Sequence, residues 1–216
     1  MQIKKNKPKN ELPHLGLIIG GPKVGKSTLC ASIPNALIAD LESCGYSHIE
    51  CEALAIIKNL SDLDEVIKTF FSSQYDVLVL DHLKMMTNWY SEKIASSNNV
   101  KTVEHVGFGK GQSELKHDVF KLFSNIRAEI SRTGKRVVLV AHSTDRKGET
   151  RLDVDGKLDT MITGMVDYIG NVYRVGPTVK INFKSQTGSE FGCRNKNLSK
   201  YNDVADWEKL VEVANG

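Results

Sequence analysis

Unbroken apolar runs alternate with helical periodicity along this chain. Residues 15–19, 36–39, 75–80 and 136–141 are short and continuous in apolar character, the mark of strands buried on both faces. Between them the spacing changes. Leu63, Val66, Ile67, Phe70 and Phe71 fall on one helical face, as do Leu115, Val119, Leu122, Phe123, Ile126 and Ile130. Ser61 is the expected N-cap of the first helix, and Gly134 the expected C-terminal cap of the second. Further helices are predicted over 26–32, halted by Pro34, over 83–94 and over 204–214. Residues 166–175 and 179–183 read as a hairpin turning at Gly176-Pro177, and 190–197 as another edge strand. Residues 96–112 read as a polar, glycine-rich loop, and 142–158 as charged and irregular.

Strands alternating with helices predict an α/β domain over residues 14–216. Its sheet should be mainly parallel, flanked by helices on both faces, and end in a C-terminal β-hairpin. Ligands in such sheets bind outside the carboxyl ends of the strands. Chemistry is therefore expected just after Ile19, Ala39, Leu80 and Ala141.

Composition narrows the class. The 216 residues are 40% hydrophobic and 25% charged, which excludes a fibre or a wholly disordered chain. No run approaches the ~18 apolar residues of a membrane helix. The net charge is +3, and Lys4, Lys5, Lys7 and Lys9 concentrate basic charge in an arm over residues 1–13. Such an arm can touch phosphate backbones or remain a solvated terminus. The start of the chain has no apolar signal-peptide core. Cys30, Cys44, Cys51 and Cys193 form no Cys-x-x-Cys pair and read as reduced thiols of a cytoplasmic protein. Cys44, His48 and Cys51 offer three zinc ligands, but at no common zinc-site spacing.

The most specific signal is Gly20-Gly21-Pro22-Lys23-Val24-Gly25-Lys26-Ser27, followed by Thr28. It fits G-x-x-x-x-G-K-[ST] between a strand and a helix, as a phosphate-binding loop requires. Backbone N–H groups freed by the glycines wrap a β-phosphate. Lys26 reaches the β- and γ-phosphates of ATP, and Ser27 ligates Mg²⁺. Asp81, after four apolar residues, is the expected second Mg²⁺ residue, or else a cap of the next helix.

Three further features bear on the kind of P-loop protein. Glu42, just past the second strand, can orient a water against the γ-phosphate or be a surface carboxylate. His142 can touch the γ-phosphate or cap a turn. Arg194 and Lys196 can enter a neighbouring subunit's site as trans-acting cations, or be an exposed basic edge that deters aggregation.

With these motifs in view, the chain resembles the phage-encoded RecA-like ATPases of the single-strand annealing and recombination class, a phage nucleotide-binding AAA-type family. The resemblance rests on residues 20–28, Ala-Asp-Leu-Glu at 39–42, Val-Leu-Val-Leu-Asp at 77–81 and Val-Val-Leu-Val-Ala-His at 137–142. Asp155-Gly156-Lys157 and Val166-Asp167 add to it. It implies a RecA-like core, with Glu42 matching the catalytic glutamate and His142 standing where RecA proteins often carry glutamine. Arg194 and Lys196 resemble the trans-acting basic pair of RecA-like and DnaB-like ATPases. The loops after Asp81 and His142 would then face DNA. The resemblance also implies phage or prophage DNA as the setting, with single-stranded DNA, a single-strand DNA-binding protein and further copies of the chain as partners. No Phe-x-x-Ala filament-linking segment is present near the N-terminus.

Candidate DNA contacts are Phe108 and Lys110, between glycines, and Arg146, Lys147 and Arg151. A base can stack on Phe108 while Lys110 meets a phosphate, unless Phe108 tucks into the core. Two other functions remain open: a nucleotide-gated binding module with little turnover, and a small nucleotide or metabolite kinase using Arg146 and Arg151 in a lid.

Overall fold

The computed structural model describes residues 11–146, 149–154, 158–184 and 192–216. The arm lysines, Lys147, Asp155-Gly156-Lys157 and Glu190 lie outside the described residues, as does the side chain of Arg146. The described elements run in this order. They are β1 (Leu15–Gly20), α1 (Lys26–Ala31), β2 (Ala36–Asp40), β3 (Ala53–Ile56), α2 (Leu60–Ser72), β4 (Val77–Asp81) and α3 (Leu83–Ser97). Next come α4 (Lys110–Thr133), β5 (Arg136–Arg146), β6 (Glu149–Leu152), α5 (Leu158–Met165), β7 (Tyr168–Val175) and β8 (Thr178–Asn182). The chain closes with β9 (Gly192–Cys193), β10 (Asn202–Val204) and α6 (Trp207–Asn215).

The strands form one sheet in the order β10-β8-β7-β1-β5-β4-β2-β3, with β6 on β5 and β9 on β7. From β7 to β3 along that order every pairing is parallel, while β8, β10, β6 and β9 pair antiparallel. This is the mixed α/β, mainly parallel architecture of a RecA-like P-loop fold.

Alternation along the strands feeds two cores. Leu17, Leu37, Leu78 and Leu139 point to the face covered by α2, α3, α4 and α5. Ile18, Ile38, Val79 and Val138 point to the opposite face, against Leu29 and Cys30 of α1 and Trp207 and Leu210 of α6. Burial on both faces is why these strands lack polar alternation. Gly134 ends α4 in the left-handed region at φ 74°, its N–H reaching the Ile130 carbonyl, as its position implied.

Several expectations need correction. The N-cap of α2 is Asn59 and not Ser61: its side chain accepts hydrogen bonds from the N–H groups of Ser61 and Asp62. Asparagine and serine cap equally well, and position decides. The stretch 96–112 is not all loop, since two short 3₁₀ turns lead into α4, which begins at Lys110. The described part of the segment after Ala141 is not irregular. β5 continues to Arg146 and folds back on β6, pairing Ser143 with Leu152 and Thr144 with Arg151. Polar residues suit such a protruding hairpin, so apolar runs do not reveal it. Helix α5 occupies 158–165, ahead of β7. The edge strand near 190–197 is described as a strand only at Gly192–Cys193. Strand β3 was not predicted although residues 53–57 form an unbroken apolar run; it is the edge of the sheet, with Leu54 and Ile56 exposed. The last helix starts at Trp207, capped by Asp206. Among the described residues no helix is long and apolar enough to cross a membrane.

Two substitutions test this packing by urea denaturation. Phe123, fully buried in the larger core, should lose about 3–5 kcal/mol of stability as Phe123→Ala. Asn59→Ala should lose only about 1 kcal/mol, the value of an N-cap.

Candidate nucleotide-binding site

The carboxyl ends of β1, β2, β4 and β5 surround a cavity of about 420 Å³. It is lined by Pro22, Lys23, Gly25, Lys26, Ser27 and Thr28 of the loop and the start of α1, and by Glu42, Asp81, His82, His142 and Arg174. Register brings these groups together. Gly20 sits opposite His142 across β1 and β5, and Asp40 opposite Asp81 across β2 and β4. A groove of about 460 Å³ lies between α2 and α4, lined by Ile67, Phe71, Leu122, Ile126 and Arg132 among others. It holds none of the phosphate-loop groups.

The loop has the backbone its motif requires. Gly25 takes φ 108°, and a Cβ there would meet the Val179 side chain at 3.0 Å. A larger residue is therefore disfavoured by conformation and by space. Lys26 is buried, and its Nζ donates to the carbonyls of Gly20 at 3.0 Å and Gly21 at 2.8 Å and to His142 Nδ1 at 3.1 Å. Burial lowers its pKa, while the nearby Asp81 carboxylate opposes that shift.

Asp81 is also buried. Its Oδ2 accepts from Ser27 Oγ at 3.0 Å and from the Tyr46 hydroxyl at 2.9 Å. Burial raises its pKa, against the lowering effect of those two hydrogen bonds. Asp40, buried at the end of β2, accepts the N–H groups of Glu42 and Ser43 on Oδ1 and of Gly45 on Oδ2. Its carboxylate thereby pins the backbone that carries Glu42.

Glu42, His82 and His142 each offer a ligand atom within 4.8 Å of the others, the spacing of a metal-binding group. Their protons exclude that use of His82 as it is hydrogen-bonded. The His142 backbone N–H donates to His82 Nε2 at 2.8 Å. Neutral His82 must then carry its proton on Nδ1, the atom that faces Glu42 Oε1 at 3.7 Å. Neither ring nitrogen keeps a free lone pair for a metal. Burial, with His142 next in effect, holds the His82 pKa down at about 3, so the ring is neutral near pH 7. The same reasoning puts the His142 proton on Nε2, because its Nδ1 accepts from Lys26.

A divalent cation, which P-loop ATPase domains typically use, fits a different pair. Ser27 Oγ and the Asp81 carboxylate are hard oxygen donors already within hydrogen-bond distance, beside the phosphate loop. They are the residues that would hold Mg²⁺, which when bound neutralises phosphate charge.

The structure thus gathers Lys26, Ser27, Asp81, Glu42 and His142 at one cavity. Gly20 and Gly21 approach it through their carbonyls on Lys26. Arg194 is exposed and pairs with Asp167 Oδ1 at 3.0 Å, at the amino-terminal end of β7, and Lys196 is exposed. Phe108 is wholly solvent-exposed and takes a left-handed φ of 54°. Lys110 lies 3.7 Å from Glu114, and Arg151 4.0 Å from Asp159. Cys44 is exposed and Cys51 half-buried, and neither joins a metal-competent group with His48 among the described residues. Tyr46, His82 and Arg174 belong to the site but were not singled out from sequence. Only His82 had a signal, its place directly after Asp81.

No curated protein matches the chain. Among solved structures, a KaiC-like protein from the hyperthermophilic archaeon Pyrococcus horikoshii OT3 is similar in fold, with TM-score 0.51 and 10% identity. The likeness covers 90% of this chain and 84% of that one. A family described as AAA domain (AAA_24) matches residues 13–211, nearly the whole chain and every residue lining the cavity. The chain therefore belongs to this AAA domain family, and the cavity at the carboxyl ends of its strands is that of a P-loop ATPase domain.

Proposed function

We propose that the chain is an Mg²⁺-dependent ATPase that acts on single-stranded DNA as a homo-oligomer, in phage recombination or annealing. One observation carries the ATPase reading: Lys26, the Ser27–Asp81 pair, Glu42 and His142 line a single cavity of about 420 Å³. Such volumes suit a nucleotide-sized ligand.

Each group has a role set by its chemistry. The Lys26 ammonium, now held by two carbonyls and His142, exchanges those partners for phosphate oxygens. Ser27 and Asp81 would hold Mg²⁺. Glu42, with its side chain half-exposed, orients the attacking water and accepts its proton. His142 donates its Nε2–H to a γ-phosphate oxygen and so responds to its presence. Arg194 and Lys196 are exposed, as cations that act on a neighbouring copy must be. The DNA reading is supported by Phe108, an aromatic ring fully in solvent where a base can stack. Lys110, two residues on, is mostly exposed and can meet a phosphate. A single-strand DNA-binding protein would be a natural partner on the same strand.

Glu42→Gln should lower turnover by about 100-fold or more, the usual share of a positioned base, while nucleotide binding persists. Phosphate release with Mg²⁺-ATP, with and without single-stranded DNA, measures this. Wild-type turnover in the variant would remove the catalytic assignment, and phosphoryl transfer to a nucleoside monophosphate without phosphate release would identify a kinase instead.

Phe108→Ala should weaken single-stranded DNA binding by about 1–3 kcal/mol per lost stack and leave ATP turnover without DNA unchanged. Filter binding of single- and double-stranded DNA, with and without ATP at two salt concentrations, reads this. Equal affinity of the variant and the wild type would remove Phe108 from the interface.

A further inference from the structure

His82 lies between the two residues that face the γ-phosphate position, and neither motif includes it. Its ring is buried, 3% exposed, and packs against the His142 ring at 4.2 Å between centroids, with the planes tilted by 49°. Its two nitrogens have opposite duties. Nε2 accepts the main-chain N–H of His142 at 2.8 Å. Nδ1, which must then carry the proton, faces Glu42 Oε1 at 3.7 Å. His142 in turn accepts from Lys26. Hydrogen bonds therefore join Lys26 to the His142 ring and the His142 main chain to His82, and the His82 Nδ1 lies 3.7 Å from Glu42, just beyond hydrogen-bond distance.

We infer that His82 is a positioning residue that ties the carboxylate of Glu42 to the main chain of His142. The inference rests on the ATPase reading and deepens it. Glu42 is half-exposed and has several rotamers open to it. A small rotation of the Glu42 side chain would bring one carboxylate oxygen within hydrogen-bond reach of the His82 Nδ1–H, select among these rotamers and leave the other oxygen for water. Because the same rigid ring is fastened to the His142 backbone, a shift of His142 toward a γ-phosphate moves the donor that holds Glu42. Water activation is then coupled to the presence of the γ-phosphate, through one side chain.

Two amide variants separate the two nitrogens. In His82→Asn the amide N–H can replace Nδ1–H toward Glu42, but the acceptor for His142 is lost. In His82→Gln the carbonyl can replace Nε2 toward His142, but the donor to Glu42 is lost. His82→Ala loses both. The expected result is a split between kcat and KM. An approximately ångström-scale misplacement of a catalytic group costs about 100-fold, so kcat should fall by roughly that factor in His82→Ala and His82→Gln while KM stays near wild type. His82→Asn should recover part of the loss. In a Glu42→Gln background, His82→Gln should add little, since its effect acts through Glu42.

A purely structural histidine would give equal losses in the two amide variants, with changes in KM and melting temperature that add to Glu42→Gln, and that outcome overturns the inference. Folding of each variant is checked by its melting temperature. If wild-type protein shows no turnover, the ATPase reading fails and the inference fails with it. If wild-type turnover is abolished by Glu42→Gln yet unchanged in His82→Gln, the ATPase reading stands and the inference alone is wrong.

Discussion

The site depends on strand register. Gly20 faces His142 and Asp40 faces Asp81 because β1, β2 and β4 end at matched positions along the parallel sheet, while β5 runs on past His142. Hydrophobicity alone holds that register weakly, since these strands are buried on both faces and a slipped strand would still bury apolar side chains. The polar residues at the ends decide it. A one-residue shift would draw Asp40 or Asp81 into the core, away from the N–H and O–H groups that satisfy their carboxylates. An unsatisfied buried charge costs far more than a methylene left in water. Asp81, which would hold Mg²⁺, and Asp40, which holds the Glu42 backbone, thus also lock the sheet.

That arrangement also accounts for the readiness of the cavity to take a charged ligand. Among the described residues no buried side-chain nitrogen or oxygen lacks a hydrogen-bond partner. Lys26 is satisfied by carbonyls of its own loop and by His142, weaker partners than phosphate oxygens. Ser27 and Tyr46 both serve Asp81. A phosphate entering here would replace the neutral carbonyl partners of the Lys26 ammonium with anionic oxygens, without uncovering a buried polar group that had no partner. The Asp40 carboxylate meanwhile keeps the backbone of Glu42 in place.

The parallel core and the phosphate loop were legible in the sequence for a physical reason. Strands buried on both faces read as unbroken apolar runs, and a loop that wraps phosphate has few sequence solutions. The hairpin of β5 and β6 was not legible, because its paired residues are nearly all polar, such as Thr144 and Arg151, with Leu152 the buried apolar exception. Helix α5 was missed because it follows directly on residues that read as charged and irregular. In the site, Asp81 and Glu42 were found from strand ends. Tyr46 escaped because it reaches Asp81 from 35 positions away, a contact made only by tertiary folding. His82 was adjacent in sequence, but its role lies in which nitrogen carries the proton, and that follows from the His142 N–H alone.

The central claim is that this cavity binds a nucleoside triphosphate through Lys26. Calorimetric titration of the full chain with a non-hydrolysable ATP analogue and Mg²⁺ tests it most directly. The account predicts one site per chain, with affinity reduced by at least about tenfold, or about 1.4 kcal/mol, in Lys26→Ala. Absence of any binding heat, or equal affinity in that variant, would contradict it.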